Sequence, residues 1–178
     1  MMKLNSKIPF SILLAVLIIS CSGTRSRTDD ADFLSVIRVV DGDTFVADDG
    51  TIRGVTIRLI GVDSPESRNS GLKRVGEYGM EAKVFLTEML AGKMVRLEFD
   101  VSRKDQYRRT LAYVYLPDGT FVNAEMVRKG YATVMTIPPN VKHAEEFLKL
   151  ERQARRQGRG LWHSNSPTSR LVLFVPLF

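Results

Sequence analysis

Hydrophobic and polar positions alternate in short runs along most of this chain, and each run stops at a turn signal. Phe33 to Val40 (FLSVIRVV) is rich in β-branched residues and ends at Asp41-Gly42-Asp43-Thr44. Phe45-Val46-Ala47 runs into Asp48-Asp49-Gly50, a hairpin signal of Asp-Gly type. Val55, Ile57 and Leu59 fall on one face of a third strand, with Thr56 and Arg58 on the other. In a fourth, Val95, Leu97 and Phe99 point inward between outward Arg96 and Glu98. Leu111 to Leu116 makes a fifth strand that closes on Pro117-Asp118-Gly119.

Three segments change period. Between Tyr78 and Ala91, the residues Ala82, Phe85, Leu86, Met89 and Leu90 recur at helical spacing, and Gly92 stops the run. Asn123 is placed to cap a short helix, Ala124 to Lys129, ended by Gly130. Asn140 is placed to cap a third, running towards Arg156, with Val141, Ala144, Phe147, Leu148 and Ala154 towards the core. No internal repeat is visible. Several short strands with helices appended predict an α+β, mainly β fold: a five-stranded Greek-key barrel of OB type with three helices, an architecture that often holds nucleic acid.

The two ends follow other rules. Lys3 and Lys7 precede an uncharged apolar run, Pro9 to Ile19, that is short for a membrane span. It ends Ile18-Ile19-Ser20-Cys21 and resembles the lipobox of bacterial lipoproteins, which implies lipidation at Cys21. An ordinary secretory signal or an uncleaved anchor are the other readings. The expected organisation is a signal peptide over 1–20, a lipidated cysteine and polar tether over 21–32, one domain over 33–163, and a tail over 164–178 with an unexplained apolar end. The protein would be exported and anchored to a membrane facing the periplasm or cell exterior, with secretion as the alternative. Cys21 is the single cysteine, so no internal disulfide is available and packing or a bound ion must supply stability. With Lys3 and Lys7 in the signal, 24 of the 26 Lys+Arg remain against 20 Asp+Glu, a modest excess of base that favours polyanionic partners without identifying one.

Charge gathers where strands end. Asp41 and Asp43 lie in the first turn, Arg58, Asp63, Ser64 and Glu66 at and beyond the end of the third strand, and Arg109 just before the fifth. In a small barrel such ends converge on one rim. Clustered carboxylates resist ionising unless a cation compensates them, and oxygen donors on loops suit Ca²⁺. Arginines beside them suit a phosphate. Together these are parts for phosphodiester hydrolysis. Taken singly, each piece has a plainer reading. Asp-Gly-Asp-Thr is an ordinary turn, an Arg–Glu pair is a surface ion pair, and Arg103 to Arg109 is a solvated loop. Tyr113 and Tyr115 alternate with Ala112 and Val114, which makes a core or sheet-face role the default for both.

Taken together, Val40-Asp-Gly-Asp-Thr44, Arg58-Leu-Ile-Gly-Val-Asp-Ser-Pro-Glu66, Tyr78-Gly-Met-Glu-Ala82, Asp105 through Tyr113, Val122-Asn123, Val127-Arg-Lys-Gly130 and Gly160-Leu-Trp162 follow in the order and spacing of the staphylococcal-nuclease-like (thermonuclease) family. The resemblance spans Val36 to about Trp162. It implies Ca²⁺-dependent, sugar-nonspecific hydrolysis of DNA and RNA by a monomeric endonuclease. Asp43 and Asp63 would ligate the metal by carboxylates and Ser64 by its backbone carbonyl. Glu66 would be general base, or would orient the water, and Asp41 would help to place Asp43. Arg58 and Arg109 would grip the phosphate. Two departures stand out. Arg108-Arg109 is a doublet where the family usually has glycine before the second arginine, so Arg108 is a further possible substrate contact, with Tyr113 and Tyr115. The loop Thr133 to Asn140 lacks the aromatics that some members place against a base. The competing readings are a catalytically inactive OB-fold nucleic-acid-binding lipoprotein and a lipid-anchored structural protein. Neither needs Asp43, Asp63, Glu66, Arg58 and Arg109 together.

Overall fold

A computed structural model describes residues 33–67 and 78–163 of the chain. The expected signal, Cys21, the tether and the tail lie outside the described residues. Five strands close into a barrel: β1 (Leu34–Asp41), β2 (Thr44–Ala47), β3 (Val55–Leu59), β5 (Met94–Glu98) and β6 (Thr110–Tyr115), in the spatial order β1-β2-β3-β6-β5. A two-residue strand β4 (Val62–Asp63) pairs with β7 (Thr133–Val134) outside it. The helices are α1 (Gly79–Leu90), α2 (Val122–Arg128) and α3 (Ala144–Arg156), with a short 3₁₀ turn at Gly160–Trp162. This is the OB-type barrel with three helices.

Closure depends on β1. Its first residues pair with β5 (Leu34 opposite Val95), and the rest pairs with β2, with register shifts between Val36 and Arg38 and between Val39 and Asp41. Such bulges bend a strand and strengthen its twist, which lets one strand serve two edges of a small barrel. They also explain why FLSVIRVV lacks a clean alternation. The β3–β6 pair is parallel, setting Arg58 opposite Leu111. Phe45, Ile57, Leu59, Val95, Ala112 and Val114 fill the barrel, and Leu86, Met126 and Phe147 join the same core from the three helices.

Several expected boundaries move. β1 starts at Leu34, and β5 ends at Glu98. Phe99 therefore leaves the inward series and is partly exposed, with the Arg103 guanidinium 4.7 Å from its ring centre. α3 begins at Ala144, so Val141 precedes the helix and is exposed. Its inward stripe is Phe147, Leu150, Glu151 and Ala154, which turns Leu148 to solvent.

Neither asparagine caps a helix. α2 begins at Val122, one residue before Asn123, whose fully buried amide accepts from Val114 N–H (2.9 Å) and donates to the carbonyls of Ile60 (2.9 Å) and Ala112 (3.3 Å). Buried Asn140 pairs with the backbone of Ser102 in both directions, at 2.8 Å each. These amides satisfy backbone groups that would otherwise be buried unpaired, which is costly. Asn123 thereby locks α2 onto β6 and onto the exit of β3, the strand that carries Arg58. Replacing Asn123 by alanine strands several buried groups at once and should cost about 3 kcal/mol of unfolding free energy in urea titration; a loss under about 0.5 kcal/mol would mean that the amide bonds contribute nothing net.

Candidate active site

The turn between β1 and β2 delivers two aspartates to the barrel rim. Gly42 sits between them because nothing larger fits: a Cβ there would lie 2.5 Å from Ser64 Oγ and 2.8 Å from Ala82 Cβ. The turn is thus pressed against both the loop after β4 and helix α1. Asp43 is buried. Its Oδ1 accepts from the Thr44 hydroxyl (2.7 Å) and its Oδ2 from Ser64 N–H (3.2 Å).

Arg58, opposite Thr44 in the β2–β3 register, reaches the same carboxylate. Its Nη2 lies 2.9 Å from Asp43 Oδ2 and 2.9 Å from Asp63 Oδ1, while Nη1 donates to the carbonyls of Leu59 (2.8 Å) and Val62 (2.6 Å). One guanidinium therefore fixes the turn, the end of β3 and strand β4 relative to one another. Asp63 is held from behind, its carbonyl accepting from the Thr133 hydroxyl at 3.2 Å.

Glu66 is placed by its backbone. Asp41 Oδ1 accepts from Gly42 N–H (2.9 Å) and from Ser67 N–H (3.1 Å), tying the residue after Glu66 to the first turn. Helix α1 starts so close that a Cβ on Gly79 would lie 2.1 Å from the Glu66 carbonyl oxygen. Asp41 thus bears on Glu66 as well as on its own turn.

On the facing side, the loop before β6 is folded around Asp105 rather than loosely solvated. Asp105 accepts from Arg109 Nε (2.7 Å), Arg109 N–H (2.9 Å) and Tyr107 N–H (2.9 Å). Burial works against ionising Asp105, but the hydrogen bonds from Arg109 outweigh it and hold the carboxyl below its ordinary range. Arg109 also lies 5.4 Å from the centre of the Tyr107 ring. Sequence reasoning gave Asp105 no role; its signal was the i, i+4 spacing to Arg109.

These elements enclose a cleft of about 1030 Å³ lined by Asp41, Asp43, Arg58, Asp63, Ser64, Glu66 and Arg109, with Met135, Ile137 and Pro138 on an apolar wall. The expected residues do come together there. Arg108 does not line it. Arg108 takes φ +66°, the left-handed region, which accounts for the glycine usual at this position. Tyr113 and Tyr115 are not brought to the cleft either. Tyr113 is 1% exposed, packs against His143, Phe121 and Phe147, and donates to Asp100 Oδ2 at 3.0 Å. Burial, with the Asp100 carboxylate beside it, pushes the Tyr113 hydroxyl pKa well up. Tyr115 stacks on Phe121 beneath Arg96.

The acceptors around Arg58 are all hard oxygens: the Asp43 and Asp63 carboxylates steadied by one cation, plus the backbone carbonyls of Leu59 and Val62. Among the described residues, no three acidic, histidine or cysteine side chains form a metal cage of their own. The set therefore fits a cation such as Ca²⁺ that accepts two carboxylates and a carbonyl and completes its six to eight ligands with water, and it does not fit a tetrahedral zinc site.

A closed OB-type barrel whose rim joins paired carboxylates to two arginines across one cleft carries groups suited to phosphodiester cleavage. Comparison with known proteins agrees. The family profile described as "Staphylococcal nuclease homologue" matches residues 56–164. The thermonuclease of Staphylococcus hyicus is 40% identical over 128 residues, covering 71% of this chain and 73% of that protein. The thermonuclease of Staphylococcus intermedius is 39% identical, covering 71% and 74%, and an uncharacterized endonuclease of Escherichia coli is 36% identical over 133 residues, covering 74% and 78%. The chain belongs to the staphylococcal nuclease family and is a nuclease of it.

Since a side chain in the left-handed region costs about 1 kcal/mol, Arg108→Gly should stabilise the domain by roughly that amount in urea titration, less some loss to unfolded-state entropy. A destabilised variant would show that Arg108 makes a contact worth more than its backbone strain.

Proposed function

We propose that the protein hydrolyses the phosphodiester backbone of DNA and RNA with Ca²⁺ as cofactor, as a monomeric and sugar-nonspecific endonuclease. The observation that carries this reading is the sharing of Arg58 between Asp43 and Asp63 in a cleft that Glu66 and Arg109 also line. Asp43, Asp63 and the Ser64 carbonyl would hold the ion, which when bound supplies positive charge to the reacting phosphate and acidity to water. Glu66 takes the proton from the attacking water, or orients that water, as its oxygen adds to phosphorus and one ester P–O bond breaks, the departing oxygen taking up a proton from solvent to leave as a hydroxyl. Arg58 and Arg109 bind non-bridging oxygens and stabilise the charge that grows in the transition state. Asp105 keeps the Arg109 guanidinium pointed across the cleft, and Asp41 keeps the Glu66 segment in place. Contacts to phosphate rather than to base edges or the 2′ position suit both polymers.

Glu66→Gln keeps the shape and removes the base. It should lower kcat by about 10²- to 10⁴-fold while Ca²⁺ affinity and melting temperature stay near wild type. Cleavage at wild-type rate would remove Glu66 from the mechanism.

We also propose export, with a lipid anchor at Cys21 facing the periplasm or cell exterior. Support comes from the basic start, the short apolar run and the single cysteine directly after Ser20. Metabolic labelling with palmitate should mark the protein and be lost in Cys21→Ser; label retained in that variant would count against the anchor.

A further inference from the structure

Charge in the cleft is unevenly compensated. Arg58 is engaged with two carboxylates and two carbonyls, and Arg109 is engaged with Asp105. Two other cations line the same cleft, Arg38 and Lys104. Both are exposed, and neither has an ion pair or side-chain hydrogen bond among the described residues. The paired arginines serve one phosphate at the centre. Among the described residues these two cations have no partner for their charge.

Their places in the strand ladder show what they flank. Arg38 on β1 lies opposite Val46 of β2, and Val46 lies opposite Thr56 of β3, which also lines the cleft. On the other side, Ile57 of β3 lies opposite Thr110 of β6, and Thr110 is bridged to Lys104. Thr56 and Ile57 are neighbours on β3, so the row steps by one residue there, and Arg38 and Lys104 lie on opposite sides of β3 and its Arg58. Four ladder steps at about 4.8 Å, with one residue step of about 3.3 Å along β3 at right angles to them, make this stepped row at most ~20 Å long. A stacked polynucleotide strand advances about 3.4 Å per nucleotide, so the row accommodates roughly five nucleotides, and fewer when extended. The β1 register shift between Val36 and Arg38 adds a local reason for the side chain's direction, because a bulge re-aims the residue beside it.

We propose that Arg38 and Lys104 bind backbone phosphates on opposite sides of the scissile one, so that the cleft takes a single polynucleotide strand laid across β1, β2, β3 and β6. This rests on the nuclease reading above and adds to it a substrate size and direction of travel. A mononucleotide or dinucleotide reaches only the Arg58–Arg109 centre. A longer strand gains the two outer contacts, which favours internal bonds over ends. Each outer contact is a single point charge on an exposed side chain, so its contribution is electrostatic, modest and screened by salt.

The test measures binding in the presence of a Ca²⁺ chelator, where nothing is cut. Fluorescence anisotropy follows a labelled oligothymidylate of about twelve nucleotides, and separately a dinucleotide, over a range of KCl concentrations; each phosphate contact on a single strand adds about 0.7 to the slope of log affinity against log salt. Arg38→Gln and Lys104→Gln should each flatten the slope for the oligomer by about that amount and leave dinucleotide binding as it was. Arg53→Gln, which removes an exposed arginine that does not line the cleft, controls for net charge and should leave the slope as in wild type. In Ca²⁺, the Arg38 and Lys104 variants should show a raised KM for the oligomer. Wild-type protein that binds the oligomer with a slope neither variant alters overturns the outer phosphate contacts alone. An equal flattening by Arg53→Gln reduces them to bulk charge and overturns them as well. Wild-type protein that neither binds nor cuts overturns the nuclease reading beneath them.

Discussion

The guanidinium of Arg58 is held at both terminal nitrogens: two backbone carbonyls on one, and two carboxylates from different loops on the other. Its side chain is only 11% exposed, as is that of Asp43, so the group is largely desolvated and its geometry is set by these partners. Two carboxylates brought this close repel each other without a cation between them. The arginine removes that conflict. It lets the turn after β1 and the residues after β3 meet on one rim.

The barrel supplies the frame for this contact. Bulges in β1 bring its end back over the barrel, and Gly42 allows the turn to lie against Ser64 and α1. The parallel β3–β6 pairing brings the Arg109 loop to the side of Arg58, and the Asn123 amide fixes that pairing from below. Across the cleft the same device recurs on a smaller scale, with Asp105 gathering two backbone amides and the Arg109 side chain. In both halves a carboxylate–arginine pair shapes a loop and presents the arginine to the cleft. Removing one partner would leave the other charged and poorly solvated, so the loops and the chemistry depend on the same bonds.

Much of the barrel was legible because strands with one buried face declare their period. Val55 to Leu59 reads correctly as alternating Ile57 and Leu59 with Arg58. β6 reads as a strand, but its outward side is partly buried too, since Phe147 of α3 and His143 just before that helix cover Tyr113. Alternation therefore could not tell that Tyr113 and Tyr115 turn away from the cleft. β4 and β7 are two residues each and too short to show any period. Asn123 and Asn140 look like caps because asparagine favours that place, whereas their bonds reach residues 63 and 38 positions away, beyond any local pattern. The candidate site residues were legible as strand-end charges. Choosing Arg109 over Arg108 followed from register in the sequence, and of the two it is Arg109 that lines the cleft.

The central claim is that this rim is built for a divalent cation and a phosphodiester together. The most direct measurement incubates the domain from Ser22 onward with single-stranded DNA and with RNA, in Ca²⁺, in Mg²⁺ and with a Ca²⁺ chelator. Cleavage of both polymers in Ca²⁺, abolished by the chelator, is the result this account predicts. Cleavage that persists in the chelator, or tight binding with no cleavage in either metal, would contradict it.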